Sequence, residues 1–285
     1  MIVDAHCHIW NRWPYQPPVP DPESRSRAEQ LIWQMDQNGV DHALVIAAAI
    51  GDNPANAADA FNAADSFPGR LTVFPDLECR WSPDYQRPGS KDRLRAALDR
   101  WGMKGFTTYL TEDEDGSWLL GEEGDAFFTL AETMSLVASL SLMPHQLPAC
   151  GELARRHPGL PILLHHHAFF GPRSGTTMAD RELAEAVAAQ LNVFVKLSGL
   201  GNVAGPEDDY RYSGLTWIKT LMRELFPGRM VWGSDFPVSS RHMTYRQSLE
   251  VLRRHGHLAP AEASGVLGGK MARMLRLGES CRAGR

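Results

Sequence analysis

The sequence has few cysteines and no long apolar run. Four cysteines (Cys7, Cys79, Cys150 and Cys281) are spread over 285 residues, and none forms a Cys-x-x-Cys pair. This spacing excludes a dense disulfide framework and predicts free thiols in a reducing, cytoplasmic environment. No stretch approaches the ~18–20 apolar residues of a transmembrane helix. The sequence also begins without the basic segment and apolar run of a secretory signal.

An excess of positive charge is missing as well. The formal net charge is −5, with 43% apolar and 22% charged residues. Because nucleic acids and anionic lipids attract cationic surfaces, this balance argues against both as partners. The proportions are those of an ordinary globular protein. We therefore expect a small-molecule substrate as the main partner, and the formation of a homo-oligomer stays open.

Short apolar segments alternate with longer amphipathic ones along the chain. Strands that are apolar throughout are typical of parallel sheets covered on both faces. Eight such strands suit a (β/α)8 TIM-like barrel, an α/β fold of about 250 residues. We expect one domain over residues 1–285, with an open doubly wound sheet as the alternative. The predicted strands are Ile2–His8, Ala43–Ala48, Leu71–Leu77, Gly105–Tyr109, Leu136–Leu142, Ile162–His166, Val193–Leu197 and Met230–Gly233.

Helix-breaking residues mark the ends of the amphipathic segments. Gly39 and Gly102 follow two of them directly, and Pro227 follows a third. The segment 10–26 contains five prolines and is predicted to be a long loop after the first strand. In a barrel, such loops surround the active-site mouth. The predicted helices are Ala28–Asn38, Asp92–Trp101, Ala179–Gln190, Thr216–Leu225, Tyr245–Arg254 and Pro260–Leu275.

Histidines close two of the predicted strands. His6 and His8 end the first strand and project to the same face, because side chains alternate along a strand. Imidazole suits a divalent metal, proton transfer or an anion contact, although a lone His-x-His pair also arises by chance. Three consecutive histidines close the sixth strand, where alternation lets either His166 or its two neighbours face the centre. We predict that His166 joins His6 and His8, and that His165 and His167 do not both enter the pocket.

Asp235 follows the eighth predicted strand, in the turn Gly233-Ser-Asp-Phe-Pro237. A carboxylate there can bind a metal or take a proton from water. An aspartate in a turn also needs no functional cause. The carboxyl ends of barrel strands meet at one face, where active sites lie. The motifs on strands one, six and eight therefore predict a common site.

The motifs resemble those of the amidohydrolase superfamily. The matching segments are 4–10, 102–105, 158–166, 196–199 and 233–237. The Trp10 after His-x-His, the Lys196-Leu-Ser-Gly199 run and the Gly-Ser-Asp-Phe-Pro turn are similar to those of small-molecule lactonases, which include sugar-lactone and 2-pyrone-4,6-dicarboxylate lactonases. The resemblance implies a TIM-barrel hydrolase. It aligns the strand-six histidine with His166 and puts His165 where the family usually has an aspartate.

Two departures from the family pattern bear on metal binding. Amidohydrolases that depend firmly on a metal place a histidine at the end of strand five, whereas here His145 lies three residues beyond Leu142. Lys104 precedes the predicted fourth strand, which is too early for a carbamylated lysine that bridges two ions. We expect at most one weakly held divalent ion, zinc or manganese, and no organic cofactor. Whether the reaction requires the ion stays open. The predicted ligands are His6, His8 and Asp235.

Several further residues are candidates for substrate contact. Cationic side chains can hold a substrate carboxylate through charge-assisted hydrogen bonds, although such side chains are often simply exposed. Aromatic residues of the first loop can wall the pocket or merely pack. Lys196, on the seventh strand, needs a partner or a ligand if it is buried. The predicted substrate-binding residues are Lys104, His145, Arg173, Trp10 and Arg241.

Together these observations predict hydrolysis of a small carboxylated or sulfonated lactone. Asp235 activates water, and His6, His8 and His166 polarise the carbonyl directly or through one ion. The predicted catalytic residues are these four. One alternative is a metal-dependent non-oxidative decarboxylase of an aromatic or unsaturated carboxylate, which the missing strand-five histidine disfavours. Another is a barrel that only binds a ligand, which the gathering of three motifs disfavours.

Overall fold

The computed structural model describes residues 1–203, 216–254 and 258–278. Eight strands alternate with helices, and each predicted strand is present. Several strands are one to two residues shorter than predicted, because the chain turns as soon as it leaves the sheet. The strands are β1 (Val3–Cys7), β2 (His42–Ala47), β3 (Leu71–Pro75), β4 (Gly105–Tyr109), β5 (Val137–Ser141), β6 (Ile162–Leu164), β7 (Val193–Leu197) and β8 (Met230–Trp232).

The strands are parallel and neighbour one another in sequence order, with β1–β3 in one sheet and β4–β8 in another. A bridge between Asp76 and Thr107 joins the sheets at one seam. At the other seam, the Asp235 N–H donates to His6 O at 2.7 Å and the His8 N–H donates to Phe236 O at 2.6 Å. This is the arrangement of a (β/α)8 barrel, so the predicted TIM-like α/β fold is confirmed. The doubly wound alternative is wrong because the strand order contains no reversal.

Helices cover the outside of the barrel, and the ends of α1 and α8 match the prediction. The pattern does not predict α2, α4, α5 or α7. In α2, alanines separated by Asn and Asp give little apolar periodicity, and in α5 a proline occupies the first turn, where a helix tolerates it. The helices are α1 (Ala28–Asn38), α2 (Asn56–Ser66), α3 (Ser90–Trp101), α4 (Glu122–Thr133), α5 (Leu147–Arg156), α6 (Arg181–Ala188), α7 (Leu200–Val203), α8 (Thr216–Leu225), α9 (Tyr245–Arg253), α10 (Pro260–Ser264) and α11 (Lys270–Met274).

The predicted terminal helix Pro260–Leu275 is wrong as a single element. A π-helical turn, Gly265–Gly269, separates α10 from α11. Gly268 lies so close to the start of β1 that an added Cβ would be 2.6 Å from both Met1 O and Val3 N. The break therefore comes from close packing against β1, which the local pattern does not contain.

Cys7, Cys79 and Cys150 are buried and free, as predicted, and Cys281 lies outside the described residues. Among the described helices, none has the length and apolar character needed to cross a membrane.

Candidate active site

Two histidines of the first strand face an aspartate that follows the last one. His6 lies within β1 and His8 one residue past its end, so strand alternation carries both rings to the interior. Their Nε2 atoms are 3.2 Å apart. Asp235 Oδ1 lies 3.6 Å from His6 Nε2 and 3.5 Å from His8 Nε2. All three side chains are buried. The structure thus brings these three residues together at the carboxyl ends of the strands.

Asp4 holds the backbone next to Asp235. Its carboxylate accepts hydrogen bonds from Ser234 N at 2.8 Å, Ser234 Oγ at 2.5 Å, Tyr245 Oη at 3.0 Å and His6 N at 3.1 Å. Burial raises the pKa of Asp4 to about 6, although these hydrogen bonds favour the charged form. Asp4 therefore ties β1 to Ser234, the residue before Asp235. Asp235 itself has a φ of 56°, which lies in the left-handed region that aspartate tolerates.

The chain makes an unusual turn after β6. Four successive residues other than glycine adopt positive φ angles of 42°, 57°, 55° and 55°. This left-handed conformation costs L-residues about 1–2 kcal/mol each. Such strain is found at functional sites, where the surrounding structure holds it in place. The four residues are His166, His167, Ala168 and Phe169.

The turn decides which histidines face the interior. His166 Nε2 lies 4.0 Å from Asp235 Oδ1, and its Nδ1 is 3.0 Å from Ser198 Oγ. His165 also packs inside the barrel, with its ring 4.5 Å from the His6 ring. His167 does not line the cavity that contains Asp235. Alternation from the buried Leu163 accounts for the inward His165, whose backbone is still extended, and the left-handed turn that begins at His166 brings the His166 ring to the interior as well.

We expect Ala168→Gly to cost less stability than Ala138→Gly. Both alanines are buried, so each substitution removes one methyl group from the core. Only Ala168 has a positive φ, which glycine adopts without strain. The losses in free energy of unfolding should differ by about 1–2 kcal/mol, as measured by urea denaturation. Equal losses would show that the turn stores no strain.

Burial favours the neutral forms of His6, His165 and His166. It lowers the pKa of His6 well below its usual value, and the nearby Lys196 lowers it further. Burial also lowers the pKa of His166 to about 4, although the Asp235 carboxylate opposes this shift. The pKa of His165 is lowered for the same reason as that of His6. Near neutral pH these rings therefore offer nitrogen lone pairs, the form in which histidine binds metals.

His6, His8 and Asp235 fit one divalent ion. For metal–ligand bonds of about 2.0–2.1 Å, the ligand atoms of a tetrahedral site lie about 3.3–3.4 Å apart. The observed separations are 3.2, 3.5 and 3.6 Å. His8 Nδ1 lies 2.8 Å from Ile46 O, so this nitrogen carries the hydrogen and Nε2 faces the site with its lone pair. With Nδ1 directed at Ile46 O, the Nε2 atom of His8 is placed to bind a metal.

A cavity of about 450 Å³ opens above these residues. This is the size of a typical small-molecule site. His8, His166 and Asp235 reach its wall, and His6 lies behind them. Its cationic side chains are Arg80, Arg173 and Arg241, and its aromatic side chains include Tyr15, Tyr109 and Phe169.

Three of the predicted substrate-binding residues, Lys104, His145 and Trp10, do not line the cavity that contains Asp235. Lys104 lies before β4, at the opposite end of the barrel, where its Nζ donates to Leu275 O at 2.6 Å. Strand polarity explains the error, because residues that precede a strand lie at the amino-terminal face. His145 is exposed and does not line the cavity, and its Nε2 lies 3.0 Å from Glu114 O. It therefore does not supply the missing strand-five histidine.

Trp10 lies behind the site instead of in the cavity wall. Its ring stacks on that of His8, with centroids 4.8 Å apart, and its Nε1 donates to Ala48 O at 2.7 Å. It therefore orients His8 and does not contact the cavity that contains Asp235. Arg173 and Arg241 do line this cavity, so both lie where a side chain can contact a substrate.

The sequence pattern did not single out several cavity residues, among them Arg80 and Tyr109. Tyr109 is the last residue of β4, so its position at the end of a barrel strand could have identified it. Its ring lies 5.0 Å from the His165 ring, so it forms the wall of the cavity next to the histidine cluster. Arg80 lies in the loop after β3 and pairs with Glu112 at 3.0 Å. Nothing in the sequence around Arg80 distinguishes it from an ordinary exposed arginine.

A (β/α)8 barrel with a His-x-His strand and an aspartate after the last strand defines a class of barrel hydrolases. The chain belongs to the amidohydrolase family, whose sequence profile matches residues 3–277. It is therefore an enzyme of the hydrolase class, as predicted.

Comparison with individual proteins agrees with this assignment. The chain is 27% identical to an L-fucono-1,5-lactonase of Burkholderia ambifaria over 83% of this chain and 80% of that protein. A zinc-bound amidohydrolase structure from Burkholderia multivorans has a TM-score of 0.78 at 22% identity and covers 97% of this chain and 99% of its own. A probable 2-pyrone-4,6-dicarboxylic acid hydrolase from Acinetobacter baumannii, with citric acid bound, has a TM-score of 0.73 at 15% identity and covers 96% and 99%.

Proposed function

We propose that this hydrolase opens a small lactone that carries a carboxylate or sulfonate group. The observation that supports this most directly is the convergence of three imidazoles on one carboxylate oxygen. The Nε2 atoms of His6, His8 and His166 lie 3.6, 3.5 and 4.0 Å from Asp235 Oδ1. Such a cluster supplies a general base and, at the same point, nitrogen ligands for a divalent ion that would polarise the carbonyl, which is what attack of water on an ester carbonyl requires.

In the proposed reaction, Asp235 takes a proton from water as the water oxygen attacks the lactone carbonyl. The resulting oxyanion lies against the histidine cluster. A divalent ion such as zinc or manganese on His6, His8 and Asp235 would supply Lewis-acid polarisation of this oxygen. When the intermediate collapses, the ring C–O bond breaks and the ring oxygen receives a proton from the protonated Asp235. The product is a hydroxy acid.

His166 remains outside the proposed ligand set. Its Nδ1 is held by Ser198, which orients its Nε2 towards Asp235. In this position it can accept or pass a hydrogen bond from the attacking water. Through this hydrogen bond His166 keeps the water near Asp235, and it places no second carboxylate beside the first.

Arg173 is the strongest candidate for holding an anionic substituent. Arg80 is paired with Glu112 at 3.0 Å, and the Arg241 guanidinium lies 5.0 Å above the Tyr15 ring. Arg173 lines the same cavity and makes no hydrogen bond or ion pair with any other residue in the described part of the chain. A guanidinium in that situation is available to a carboxylate or sulfonate of the substrate.

We expect Arg173→Gln to raise KM for an anionic lactone with little change in kcat. Hydrogen bonds to charged groups contribute about 1.5–3 kcal/mol, so kcat/KM should fall roughly 10–100-fold. Steady-state kinetics would measure this. Arg87→Gln, at an exposed arginine outside the cavity, is the matched control. An unchanged KM for anionic lactones in Arg173→Gln would remove this residue from substrate recognition.

A panel of substrates tests the function itself. Proton release would be followed with neutral sugar lactones such as L-fucono-1,5-lactone, and with anionic lactones such as 2-pyrone-4,6-dicarboxylate. We expect ring opening, with preference for an anionic lactone. Carbon dioxide release from aromatic carboxylates without lactone opening would indicate the decarboxylase alternative. Binding without turnover would indicate a ligand-binding barrel.

A further inference from the structure

Two hydroxyl side chains end neighbouring strands in the cavity wall. Tyr109 is the last residue of β4 and Ser141 is the last residue of β5, and the two strands pair these residues directly. Because side chains alternate between the two faces of a sheet, residues that pair across neighbouring strands share a face. Both residues line the cavity that contains Asp235. Their side chains therefore lie side by side, facing the space for the substrate.

The contacts of these strands show that the shared face is the barrel interior. Ser139, two residues before Ser141 and so on the same side of β5, has its Oγ 2.7 Å from Nε2 of the interior His165. The Tyr109 ring lies 5.0 Å from the His165 ring, which lies 4.5 Å from the His6 ring. Tyr109 and Ser141 are therefore next to the histidine cluster.

Neither hydroxyl makes a hydrogen bond within the described part of the chain. A tyrosine that is largely enclosed normally has a partner for its O–H. Burial raises the pKa of Tyr109 well above its usual value, and nearby acidic groups that include Tyr15 and Asp235 raise it further. The phenol therefore keeps its hydrogen near neutral pH and is available as a donor.

The proposed reaction needs hydrogen-bond donors at this place. Attack of water on the lactone carbonyl develops negative charge on the carbonyl oxygen, next to the histidine cluster. As a carboxylate, Asp235 can only accept hydrogen bonds. Tyr15 also presents a hydroxyl without a partner in the described residues, but it lies in the long loop after β1. Donors at the ends of strands are held more rigidly than donors on loops, and stabilisation of an oxyanion depends on such preorganisation.

We propose that the hydroxyls of Tyr109 and Ser141 donate hydrogen bonds to the carbonyl oxygen of the lactone and stabilise the charge that develops on it. The proposal rests on the proposed lactone opening and adds two catalytic residues to it. Because the full charge exists only in the transition state, the loss of either donor should appear in kcat more than in KM.

Steady-state kinetics with a substrate identified in the lactone panel test the two residues. Removing one oxyanion donor typically costs about 10²–10³-fold in kcat, and we expect this loss for Tyr109→Phe, with KM within a few-fold of wild type. Ser141→Ala should lose roughly 10-fold or more in kcat, as a hydrogen bond to a charged group implies. Tyr85→Phe and Ser66→Ala remove hydroxyls outside the cavity and should keep the kcat of wild type.

A cyclic phosphonate analogue of that substrate provides a second measurement, because its P–O⁻ group resembles the oxyanion. We expect the inhibition constant to rise in Tyr109→Phe by about the factor by which kcat/KM falls, the behaviour of a transition-state analogue. A structural disturbance would not produce this match. Thermal melting would establish that each variant is folded.

The outcomes separate this proposal from the proposed function. If wild type opens a lactone and Tyr109→Phe keeps its kcat, or loses only in KM, the catalytic role of Tyr109 is overturned and lactone opening stands. An unchanged kcat in Ser141→Ala overturns the role of Ser141 in the same way. A greater loss in Tyr15→Phe than in Tyr109→Phe assigns the donor to the loop and also overturns the proposal. A wild type that opens no lactone overturns both.

Discussion

Replacing Asp235 with asparagine should lower kcat for lactone opening by about 10²–10⁴-fold, the usual cost of losing a general base. The asparagine side chain would keep the shape of the aspartate, but its amide cannot take a proton from water. The Asp235 backbone N–H, which donates to His6 O at 2.7 Å, is unaffected by the change. The fold should therefore persist, so that the loss reflects chemistry and not unfolding.

Steady-state kinetics with a substrate identified in the lactone panel would measure this loss, and thermal melting would monitor the fold. Asp65→Asn is the matched control, since Asp65 is exposed and lies outside the cavity that contains Asp235. If Asp235→Asn retained kcat within a few-fold of wild type, another residue would have to be the base.

Asp4→Ala should be the most destabilising single change near the site, by about 3–5 kcal/mol. Four hydrogen bonds end on this buried carboxylate, from Ser234 N and Oγ, His6 N and Tyr245 Oη. Alanine leaves these buried donors without their acceptor, at about 1–3 kcal/mol for each donor that finds no substitute. Activity should fall too, because Ser234 directly precedes Asp235.

Chemical denaturation of wild type and variant would give the difference in free energy of unfolding. Tyr245→Phe provides the graded comparison, since it removes one donor and leaves the carboxylate with the other three. We expect it to cost about 1 kcal/mol, the net contribution of one hydrogen bond. A loss in Asp4→Ala no larger than that in Tyr245→Phe would contradict the role of Asp4 in joining β1 to β8.

Periodic patterns predicted most of the fold. Apolar runs identified all eight strands, and Gly39 marked the end of α1 correctly. The pattern did not predict helix α2, because its apolar periodicity is weak, or helix α5, because a proline lies in its first turn. The local pattern did not predict the break at Gly265–Gly269, because the break is caused by the close approach of Gly268 to β1, which lies at the opposite end of the sequence.

The sequence by itself determined that His6 and His8 lie on one face and that Asp235 follows a strand, because alternation and strand ends are local properties. Only the tertiary structure decided how the remaining residues are placed. The left-handed turn brought His166 inward beside His165, and strand polarity put Lys104 at the far end of the barrel. The contact of Lys196 with His6 joins residues 190 positions apart. Such contacts depend on barrel closure and on which side chains fill the interior, and neither is encoded in any short segment of the chain.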